Sequence, residues 1–448
     1  MVITAQDTKL KLGYKQTEVG VIPEDWEAKT FGEVMTGFAS GATPSRKQPN
    51  FYKGNIRWIT SGELNYNVIM DTIEKISVEA LSKSNLKLLP KGTFLIAITG
   101  MEAEGTRGSC GIVGAEATTN QHCMALFPTK QLSTDYLFHY YVYKGKSLAL
   151  QYCQGTKQQD YTGKIVKLLP ILLPPLPEQT AIAAALSDAD ALITSLDRLI
   201  AKKRDIKQAT MQQLLTGRTR LPGFSGELKL TYKQTEAGLI PEDWEVHTLG
   251  EEVDQLEAGV SVNSVDEDFH MYAHAQAILK TSAASNGYFF PHENKKIAPR
   301  DIRRAKLNPR VNSIIISRMN TLDLVGECGN VDKDYPNLFL PDRLWMTRFK
   351  RESTINVKWL SYLLSHKEYK VKIKVAATGT SGSMKNISKD SLLSIKIPFP
   401  SPEEQTAIAT VLSDMDAEIA ALEQKRDKTH ALKQGMMQEL LTGKTRLI

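Results

Sequence analysis

The strongest constraint on the fold is an internal repeat, because several segments of the chain occur twice. Residues 10–27 match residues 228–245 at 15 of 18 positions, with an offset of 218. Two further pairs match with an offset of 226: residues 178–196 with 404–422, and residues 214–221 with 440–447. Self-similarity at a fixed spacing indicates two copies of one structural unit, and it outranks any local motif as a guide to architecture.

The segments between the repeats differ from each other. Residues 28–170 and residues 246–396 show no comparable match, although they take equivalent places in the two copies. Two copies with the same end segments and different middle segments suit a molecule that binds two identical partners and recognises two different targets. We therefore expect partner binding in the repeats and specificity in the middles.

The repeated segments that begin at Glu178 and Glu404 predict two long helices. Apolar residues recur at alternating steps of four and three, which is the spacing of a coiled-coil seam. A proline lies at each start and a glycine follows each end, as is common for helix termini. The predicted seam residues are Ile182, Leu186, Ile193 and Leu196 in the first copy and Ile408, Leu412, Met415, Ile419 and Leu422 in the second.

A seam of this kind needs a partner helix, and the other copy is the obvious one. Antiparallel pairing fits a chain that runs globule, helix, globule, helix, whereas parallel pairing would require the second globule to span the whole helix. The alternative is that each helix packs on its own globule. We expect an α+β fold with two globular domains separated by a long antiparallel two-helix coiled coil, and with a pseudo-two-fold internal duplication. The predicted bounds are 1–177 for the first globular domain, 178–216 for the central helix, 217–400 for a linker and the second globular domain, and 401–448 for the C-terminal helix.

The two middles have the pattern of mixed helix and strand domains. Loops rich in Gly, Thr and Ser occur at 37–45 and 376–383. Such loops permit close backbone approach to a nucleic acid and supply small donors, although any one of them alone is more simply a turn. Short strands are predicted at 56–60, 92–98, 112–114 and 314–317, and helices at 136–143 and 359–364.

Composition argues against a membrane protein and a disulfide-rich one. Of the 448 residues, 42% are hydrophobic and 24% are charged. No stretch approaches the roughly 20 apolar residues that span a bilayer, and the N-terminus lacks the apolar core of a signal peptide. The four cysteines are scattered, without the paired spacing of a disulfide framework or a zinc site. We therefore expect a soluble protein of the reducing cytoplasm.

Motifs for catalysis are missing from the sequence. Two Gly-Lys-Ser/Thr triplets lack the first glycine that a phosphate-binding loop requires. No tetrapeptide of the amino-methyltransferase type occurs, and Pro341-Asp342 lacks the nearby Glu-x-Lys of a nuclease. His270 and His274 lie four residues apart, but a single pair of this kind is more often incidental than a metal site. The sequence predicts binding without chemistry, and no catalytic or metal-binding residue is predicted.

Charge is unevenly distributed along the chain. The net charge of +6 is only a mild indication of an acidic partner. One cluster is much denser, with Asp301 as its single acidic residue, and it is typical of a surface that contacts phosphates. A solvated protein face is the alternative interpretation. The cluster contains Lys295, Lys296, Arg300, Arg303, Arg304, Lys306 and Arg310.

The ends of the two middles resemble one family. Residues 155–179 run from Gly-Thr-Lys-Gln-Gln-Asp to Pro-Leu-Pro-Glu-Gln, and residues 379–405 run from Gly-Thr-Ser-Gly to Pro-Glu-Glu-Gln. Both resemble the close of a target-recognition domain in the specificity (S) subunit of type I restriction–modification enzymes. The second copy has Pro-Glu-Glu in place of Pro-Leu-Pro-Glu, a minor departure at the helix start.

The starts of the domains carry the same resemblance. The segments GVIPEDW at 20–26 and GLIPEDW at 238–244 are similar to the start of the family's domains. The segment Thr119-Asn120-Gln121 is similar to an "NQ" segment that is common in the family. The resemblance covers nearly the whole chain, and the two-copy layout is more diagnostic than any single motif.

The resemblance implies a division of labour. In that family each variable domain recognises one half of a split sequence in double-stranded DNA. The helices space the domains and dock two methyltransferase (M) subunits, and motor-nuclease (R) subunits join the complex. The chain would be the non-catalytic specificity subunit of a DNA adenine methyltransferase and restriction endonuclease. It would bind no cofactor itself, because S-adenosylmethionine, ATP and Mg²⁺ belong to the partners, and the M subunits would surround the DNA to reach a flipped base.

On this interpretation we predict DNA contacts from the polar loops and the basic cluster. In the first middle the predicted contacts are Thr43, Ser45, Arg46, Lys47, Arg107, Gly155, Thr156, Lys157 and Gln158. In the second they are Arg300, Arg303, Arg304, Lys306, Thr380, Ser381 and Ser383.

Two other classes of function stay open. A methyltransferase or nuclease with fused recognition domains would act on DNA without a partner. A structural coiled-coil adaptor would never touch nucleic acid. Neither explains why the two copies share their ends and differ in their middles. The DNA target itself cannot be read from the sequence, since direct readout depends on a few side chains and their docking geometry.

Overall fold

The chain forms two compact units. Unit 1 contains Met1–Asp197 and Gln424–Ile448, and unit 2 contains Arg198–Glu423. Each unit therefore combines one variable middle with half of each long helix, whereas the four-part division predicted from the sequence kept the helices separate. The computed structural model describes residues 12–155, 159–224, 231–265, 276–378 and 384–447.

Unit 1 is built around two sheets. Its strands are β1 (Tyr14–Thr17), β2 (Gly20–Pro23), β3 (Glu27–Thr30), β4 (Met35–Ser40), β5 (Ile56–Ile59), β6 (Asn67–Ile69), β7 (Lys75–Ile76), β8 (Phe94–Ala97), β9 (Cys110–Val113), β10 (Ala117–Thr119), β11 (Cys123–Pro128) and β12 (Pro170–Leu173). Its helices are α1 (Phe31–Val34), α2 (Val78–Lys83), α3 (Thr134–Tyr152), α4 (Gly163–Leu168) and the first part of α5 (Leu176–Leu214). The large sheet has the order β4-β11-β8-β9-β6, and a smaller sheet has the order β10-β5-β7.

Unit 2 contains the remaining elements. Its strands are β13 (Tyr232–Thr235), β14 (Gly238–Pro241), β15 (Glu245–Thr248), β16 (Val253–Ala258), β17 (Ser264–Val265), β18 (Ala277–Leu279), β19 (Ala284–Ser285), β20 (Gly287–Phe289), β21 (Asn294–Ile297), β22 (Ile314–Ser317), β23 (Met319–Asn320), β24 (Cys328–Asn330), β25 (Leu338–Phe339), β26 (Leu344–Phe349), β27 (Lys385–Asn386) and β28 (Lys396–Phe399). Its helices are α6 (Leu249–Glu252), α7 (Val357–Ser365), α8 (Lys367–Ala376), α9 (Lys389–Leu393) and the first part of α10 (Pro402–Leu440).

The two middles share one topology although their sequences differ. The large sheet of unit 2 has the order β16-β26-β22-β24-β20-β19, and its first five strands match β4-β11-β8-β9-β6 in place and direction. In both sheets the last of these five strands is parallel to its neighbour, while the other pairs are antiparallel. The smaller sheets also correspond: in each, one central strand has a parallel and an antiparallel neighbour, and unit 2 adds β17 at the edge as a further antiparallel strand.

The central strands of both large sheets are buried on both faces. β8 is fully buried from Phe94 to Ala97, and β22 is fully buried from Ile314 to Ser317. Continuous apolar runs are typical of such strands, and the predicted strands at 92–98 and 314–317 are confirmed. The helix predicted at 136–143 extends further, to Thr134–Tyr152. Residue 145 of this helix is glycine at a close backbone approach, because a Cβ there would lie 2.8 Å from the Gly108 backbone oxygen.

Three repeated segments meet in unit 1 at an ion-pair junction. The Arg446 guanidinium donates to Glu178 at 2.6 and 2.8 Å and to Asp25 at 3.0 and 2.7 Å. The buried carboxylate of Glu178 also accepts the indole N–H of Trp26 at 2.8 Å. Arg446 follows the last helix, Glu178 begins the central helix and Asp25-Trp26 lies near the chain start, so one cluster holds three distant segments.

The same junction occurs in unit 2 with the copies exchanged. Arg220, which follows the central helix, donates to both oxygens of Glu404 and, at 3.0 and 3.1 Å, to Asp243. Glu404 accepts the indole N–H of Trp244 at 3.0 Å. Each of the three repeated segments therefore supplies members of a junction that is built twice.

The long helices pair antiparallel within each unit. In unit 1, Lys433 lies 2.5 Å from Asp190, and Arg426 lies 3.6 Å from Asp197. Moving seven residues forward along α5 therefore corresponds to moving seven residues backward along α10, as antiparallel helices require. In unit 2, Lys207 lies 2.5 Å from Asp416, which is the equivalent pair in the other copy. The structure buries most of the predicted seam residues: Ile182, Leu186, Ile193, Leu196, Ile408, Leu412 and Ile419 are buried, and Met415 and Leu422 are partly buried.

The helix ends also follow the sequence pattern. α5 and α10 each span 39 residues, and Pro402 is the first residue of α10. Gly217 and Gly443 follow with φ of +67° and +72°, the left-handed conformation that favours glycine at a helix end. Among the described helices, none has a segment long and apolar enough to cross a bilayer.

Candidate nucleic-acid interface

Four loops of unit 1 converge at one end of its large sheet. Backbone hydrogen bonds join Ala42 to Thr119 at 3.1 Å, Ile98 to His122 at 2.9 Å, and Tyr161 to Ile98 at 2.7 Å. We refer to these loops together as loop end 1, which consists of the described residues 41–47, 98–109, 119–122, 153–155 and 159–162.

Unit 2 has an equivalent set of loops held by equivalent bonds. The backbone N–H groups of Val260, Arg318 and Ile387 donate to the carbonyls of Leu340, Arg343 and Arg318, at 3.2, 3.0 and 3.0 Å. These three bonds join the same loops, in the order of the topology, as the three backbone bonds of unit 1. We refer to this set as loop end 2, which consists of the described residues 259–263, 318–327, 340–343, 377–378 and 384–388.

Two glycines explain how the first loop of each set can approach the backbone of a neighbouring loop so closely. A Cβ at Gly41 would lie 1.7 Å from the Thr119 carbonyl oxygen, and a Cβ at Gly259 would lie 1.6 Å from the Leu340 oxygen. No side chain fits at either position without moving the backbone. Both units therefore need glycine at this crossing, despite the absence of a sequence match between the middles.

A chain of polar side chains crosses loop end 1. Thr43 contacts Gln121 through their side-chain oxygens, at 2.5 Å. The Gln121 amide nitrogen lies 3.0 Å from Nε2 of His122, and Nδ1 of His122 lies 2.5 Å from the Thr99 hydroxyl. Gln121 is exposed and His122 is partly exposed. These neutral groups offer both donors and acceptors, as readout of base edges requires.

Loop end 2 carries charged groups at the matching positions. The Ser261 hydroxyl donates to the Asp342 carboxylate, the counterpart of the contact between Thr43 and Gln121. Arg343 stands where unit 1 has His122, and it is exposed. The Arg318 guanidinium lies over the Trp345 ring at 5.7 Å, and within the described residues its buried Nε has no hydrogen-bond partner.

Of the contacts predicted in the first middle, loop end 1 contains Thr43, Ser45, Arg46, Lys47, Arg107 and Gly155. Arg107 donates from Nε to the Met101 carbonyl and from Nη2 to the Glu102 carbonyl, both at 2.9 Å. Its guanidinium thus holds the shape of its own loop. The predicted Thr156, Lys157 and Gln158 lie outside the described residues, between Gly155 and a Gln159 whose backbone bonds to Met101.

Arg46 already has a protein partner. Its guanidinium forms a two-point contact with Glu74 at 2.6 and 2.7 Å, and it lies 4.1 Å from the centre of the Tyr52 ring. The hydrogen bonds to Glu74 raise the pKa of Arg46, while burial opposes that shift. The neighbouring Ser45 and Lys47 are exposed. Arg46 therefore orders the loop and keeps part of its charge accessible.

The basic cluster predicted in the second middle lies beside loop end 2. Asp301 is buried and accepts the backbone N–H of Asn263 at 2.9 Å and its side-chain amide at 2.7 Å. The backbone hydrogen bond from Asn263 lowers the pKa of Asp301, burial opposes it, and Arg304 adds a further contact at 3.1 Å. These bonds attach the turn Pro299–Arg304 to the first loop of the set.

The cluster keeps most of its charge exposed. Arg300, Arg303 and Lys306 are exposed and, among the residues that the structure describes, have no carboxylate partner. The predicted Thr380, Ser381 and Ser383 lie outside the described residues. His270 and His274 also lie outside them.

The structure adds residues that the sequence did not indicate. An open groove of about 640 Å³ in unit 1 is lined by Lys164 and Lys167 of α4 together with Phe38, Ser40, Met124, Thr162 and Gly163. The groove adjoins loop end 1, because Ser40 pairs with Met124 two residues after His122. Two lysines three positions apart on a short helix were the only local signal. His122, Arg318 and Arg343 carried none, since isolated residues in loops form no pattern.

Comparison with known proteins agrees with this picture. A protein-family model described as "Type I restriction modification DNA specificity domain" matches residues 23–203 and 241–429. A putative type I restriction enzyme MjaX specificity subunit of Methanocaldococcus jannaschii is 27% identical over 459 residues, covering 100% of both chains. The MjaVIII specificity subunit of the same organism is 27% identical over 437 residues, covering 95% of this chain and 94% of the relative.

Solved structures show the same fold. The S subunit of a type I restriction-modification system from M. genitalium superposes with a TM-score of 0.55 at 15% identity, covering 93% of this chain and 96% of its own. A chain from a structural study of type I restriction-modification assembly gives a TM-score of 0.55 at 18% identity, with coverages of 95% and 99%. The chain therefore belongs to the family of type I restriction–modification DNA specificity proteins, and it carries one specificity domain in each half.

Proposed function

We propose that this chain is the sequence-recognition subunit of a type I restriction–modification complex in which each unit reads one half of an interrupted, asymmetric DNA target. The observation that carries the proposal is the pair of loop ends. They share one backbone frame, with matching bonds and matching glycines, but differ in the side chains they present. Two loop ends with the same backbone arrangement and different side chains are suited to recognising two different DNA half-sites.

The charge on the loop ends supports contact with DNA. Lys164 and Lys167 lie in the groove beside loop end 1, and Arg300, Arg303 and Lys306 lie beside loop end 2. Exposed basic groups beside polar loops match a division in which phosphate contacts position the duplex and loop side chains read the bases. The described parts of both units offer such an arrangement.

The repeats support two identical partner sites, which we assign to two M subunits. Buried members of the repeat, such as Trp26 and Glu178, are explained by the ion-pair junction. Other repeated residues are exposed in both copies and need a different explanation: Thr180 and Thr406, Asp188 and Asp414, Lys202 and Lys428, and Gln208 and Gln434. In the repeated hairpins, the apolar side chains of Val21 and Leu239 are 48% and 56% exposed.

We assign the chemistry to the partners. On this proposal the chain is non-catalytic, S-adenosylmethionine is bound by the M subunits, and ATP and Mg²⁺ are used by R subunits that join through the complex. We expect the complex to act in the cytoplasm, where its DNA substrate lies.

The test is methyl transfer by the purified chain with and without its M subunit. Unmethylated genomic DNA and S-adenosylmethionine are supplied, and the methylated positions are sequenced. We expect no transfer by the chain alone, and one interrupted, asymmetric motif methylated by the complex. Methyl transfer by the chain alone, or a complex that methylates without sequence preference, would contradict the proposal. Light scattering of the complex should give a mass of two M subunits for each chain.

A further inference from the structure

The two loop ends differ in chemistry at one equivalent pair of positions. Residues 121 and 342 each contact a hydroxyl of the first loop, and residues 122 and 343 each accept a backbone N–H from the loop after the central strand. Unit 1 has Gln121-His122 at this place, and unit 2 has Asp342-Arg343. A neutral pair in one unit is thus replaced by an acid and a base in the other.

The side chains of Gln121 and His122 are hydrogen-bonded within unit 1. Both ring nitrogens of His122 have partners, Thr99 and Gln121. Arg343 is different, because its side chain is exposed and, within the described residues, makes no hydrogen bond or ion pair. Its backbone is nevertheless fixed by the bond from Arg318. A fixed backbone with a free guanidinium is suited to a ligand that comes from outside the chain.

The neighbouring carboxylate indicates which kind of ligand this is. Asp342 is exposed beside Arg343, and one of its oxygens is engaged by Ser261. A carboxylate repels a phosphate, so a pair made for the DNA backbone would not place one next to its arginine. A G·C base pair offers both partners in the major groove, with O6 and N7 of guanine as acceptors and N4 of cytosine as a donor.

We propose that Arg343 and Asp342 read one G·C base pair of the half-site recognised by unit 2, Arg343 through guanine O6 and N7 and Asp342 through the cytosine amino group. This inference rests on the proposed function. The planar fork of arginine matches the guanine edge in two points, which lysine cannot do. Unit 1 has no arginine and carboxylate at the equivalent place, so we expect the target to be asymmetric at this base pair.

The experiment selects DNA from a duplex library with a randomised central segment, using the full chain in complex with its M subunit. The variants are Arg343→Gln, Arg343→Lys and Asp342→Asn. The matched control is Arg351→Gln, which removes an exposed arginine of unit 2 from the loop after β26, outside loop end 2. We expect each of the three variants to lose preference for the same G·C pair, by roughly 10- to 100-fold for the arginine changes. The control should keep the full motif, and all variants should keep the other base pairs of both half-sites, which shows that both units fold.

Several results would overturn the inference. An unchanged motif in Arg343→Gln would show that this residue reads no base. Full preference in Arg343→Lys, with uniformly weaker binding to all sequences in Arg343→Gln, would make it a phosphate contact. Loss of preference at a different base pair in Asp342→Asn would separate the two residues. If the unaltered complex selects no sequence at all, the proposed function itself fails, and this inference with it.

Discussion

Arg446 and Glu178 lie 268 positions apart in the chain, yet the guanidinium Nε of Arg446 donates to Glu178 Oε1 at 2.6 Å. The contact joins the segment after the last helix to the start of the central helix, and the bond from Trp26 to Glu178 adds the first repeat. The segment that follows α10 is thus fixed to unit 1 by this contact.

We predict that Arg446→Ala destabilises unit 1 by about 3 kcal/mol, because it leaves the buried Glu178 carboxylate without its cation. Arg446→Lys keeps the charge but loses the two-point contacts, so its effect should be intermediate. Hydrogen exchange of residues 20–30 measures the local effect, and urea unfolding measures the global one.

The matched control for this change is Lys444→Ala, two positions earlier, where the side chain is exposed. It should leave the unfolding free energy nearly unchanged. Equal effects of the two variants would show that the junction does not hold the repeats together.

A second prediction concerns pH and His139. Burial lowers the pKa of His139 to about 4, and its Nε2 lies 2.9 Å from the Ser187 hydroxyl of α5. The unfolded chain binds a proton at its ordinary pKa of ~6.5, whereas the folded chain stays neutral. The contribution to stability is therefore complete above pH ~6.5 and is lost as the pH falls toward 4.

The measurement is urea unfolding between pH 7 and pH 5, for the unaltered chain and for His139→Gln. We expect the variant to lose most of a slope of up to ~1.4 kcal/mol per pH unit that this histidine contributes. An identical pH profile for both proteins would mean that His139 does not titrate as its burial implies.

The third prediction concerns the basic cluster beside loop end 2. Replacing Arg300, Arg303 and Arg304 by alanine should weaken the complex on all DNA sequences alike and reduce the salt dependence of binding, because phosphate contacts release counterions. Fluorescence anisotropy over a salt series measures both effects. Arg304 contributes less if its bond to Asp301 persists. Arg351→Gln serves as the control. If the triple variant keeps the DNA affinity and the salt dependence of the unaltered complex, the cluster does not contact DNA and is only a solvent-exposed surface.

The sequence predicted the helices well, because their information is local and periodic. The seam from Ile182 to Leu196 and its copy repeat at fixed steps, and periodicity of this kind needs no knowledge of the fold. The shared topology of the middles could not be predicted in the same way. Apart from glycines such as Gly41 and Gly259, the two middles form equivalent backbone bonds with unlike residues.

The candidate site was predicted at the level of loops but not of side chains. Composition indicated the loop that contains Thr43, because Gly, Thr and Ser are dense there. It could not show that Arg46 pairs with Glu74 or that Arg107 binds the carbonyls of its own loop, since these partners are set by tertiary structure. Arg343 was missed for the same reason, as its importance lies in the topological equivalence with His122.

The fourth prediction is that the helices set the spacing between the half-sites. Four residues inserted after Ala201 lengthen α5 by about 6 Å, against a base-pair rise of ~3.4 Å. They turn the helix through about 400°, so the seam is displaced by only ~40° and pairing can survive. We expect the methylated motif to keep both half-sites and to gain one or two base pairs between them.

A three-residue insertion at the same place is the matched comparison. It turns the helix through about 300° and displaces the seam by ~60° in the other direction, so it should be tolerated less well. An active four-residue variant with an unchanged spacer would show that the helices do not determine the separation.

The most direct test of the account exchanges residues 28–170 for the equivalent domain of another family member and sequences the methylated motif in cells that also express the M subunit. If each unit reads its own half-site, the exchange changes one half of the motif and leaves the other half as it was. A change in both halves, or in neither, would contradict the claim that the two units recognise DNA independently.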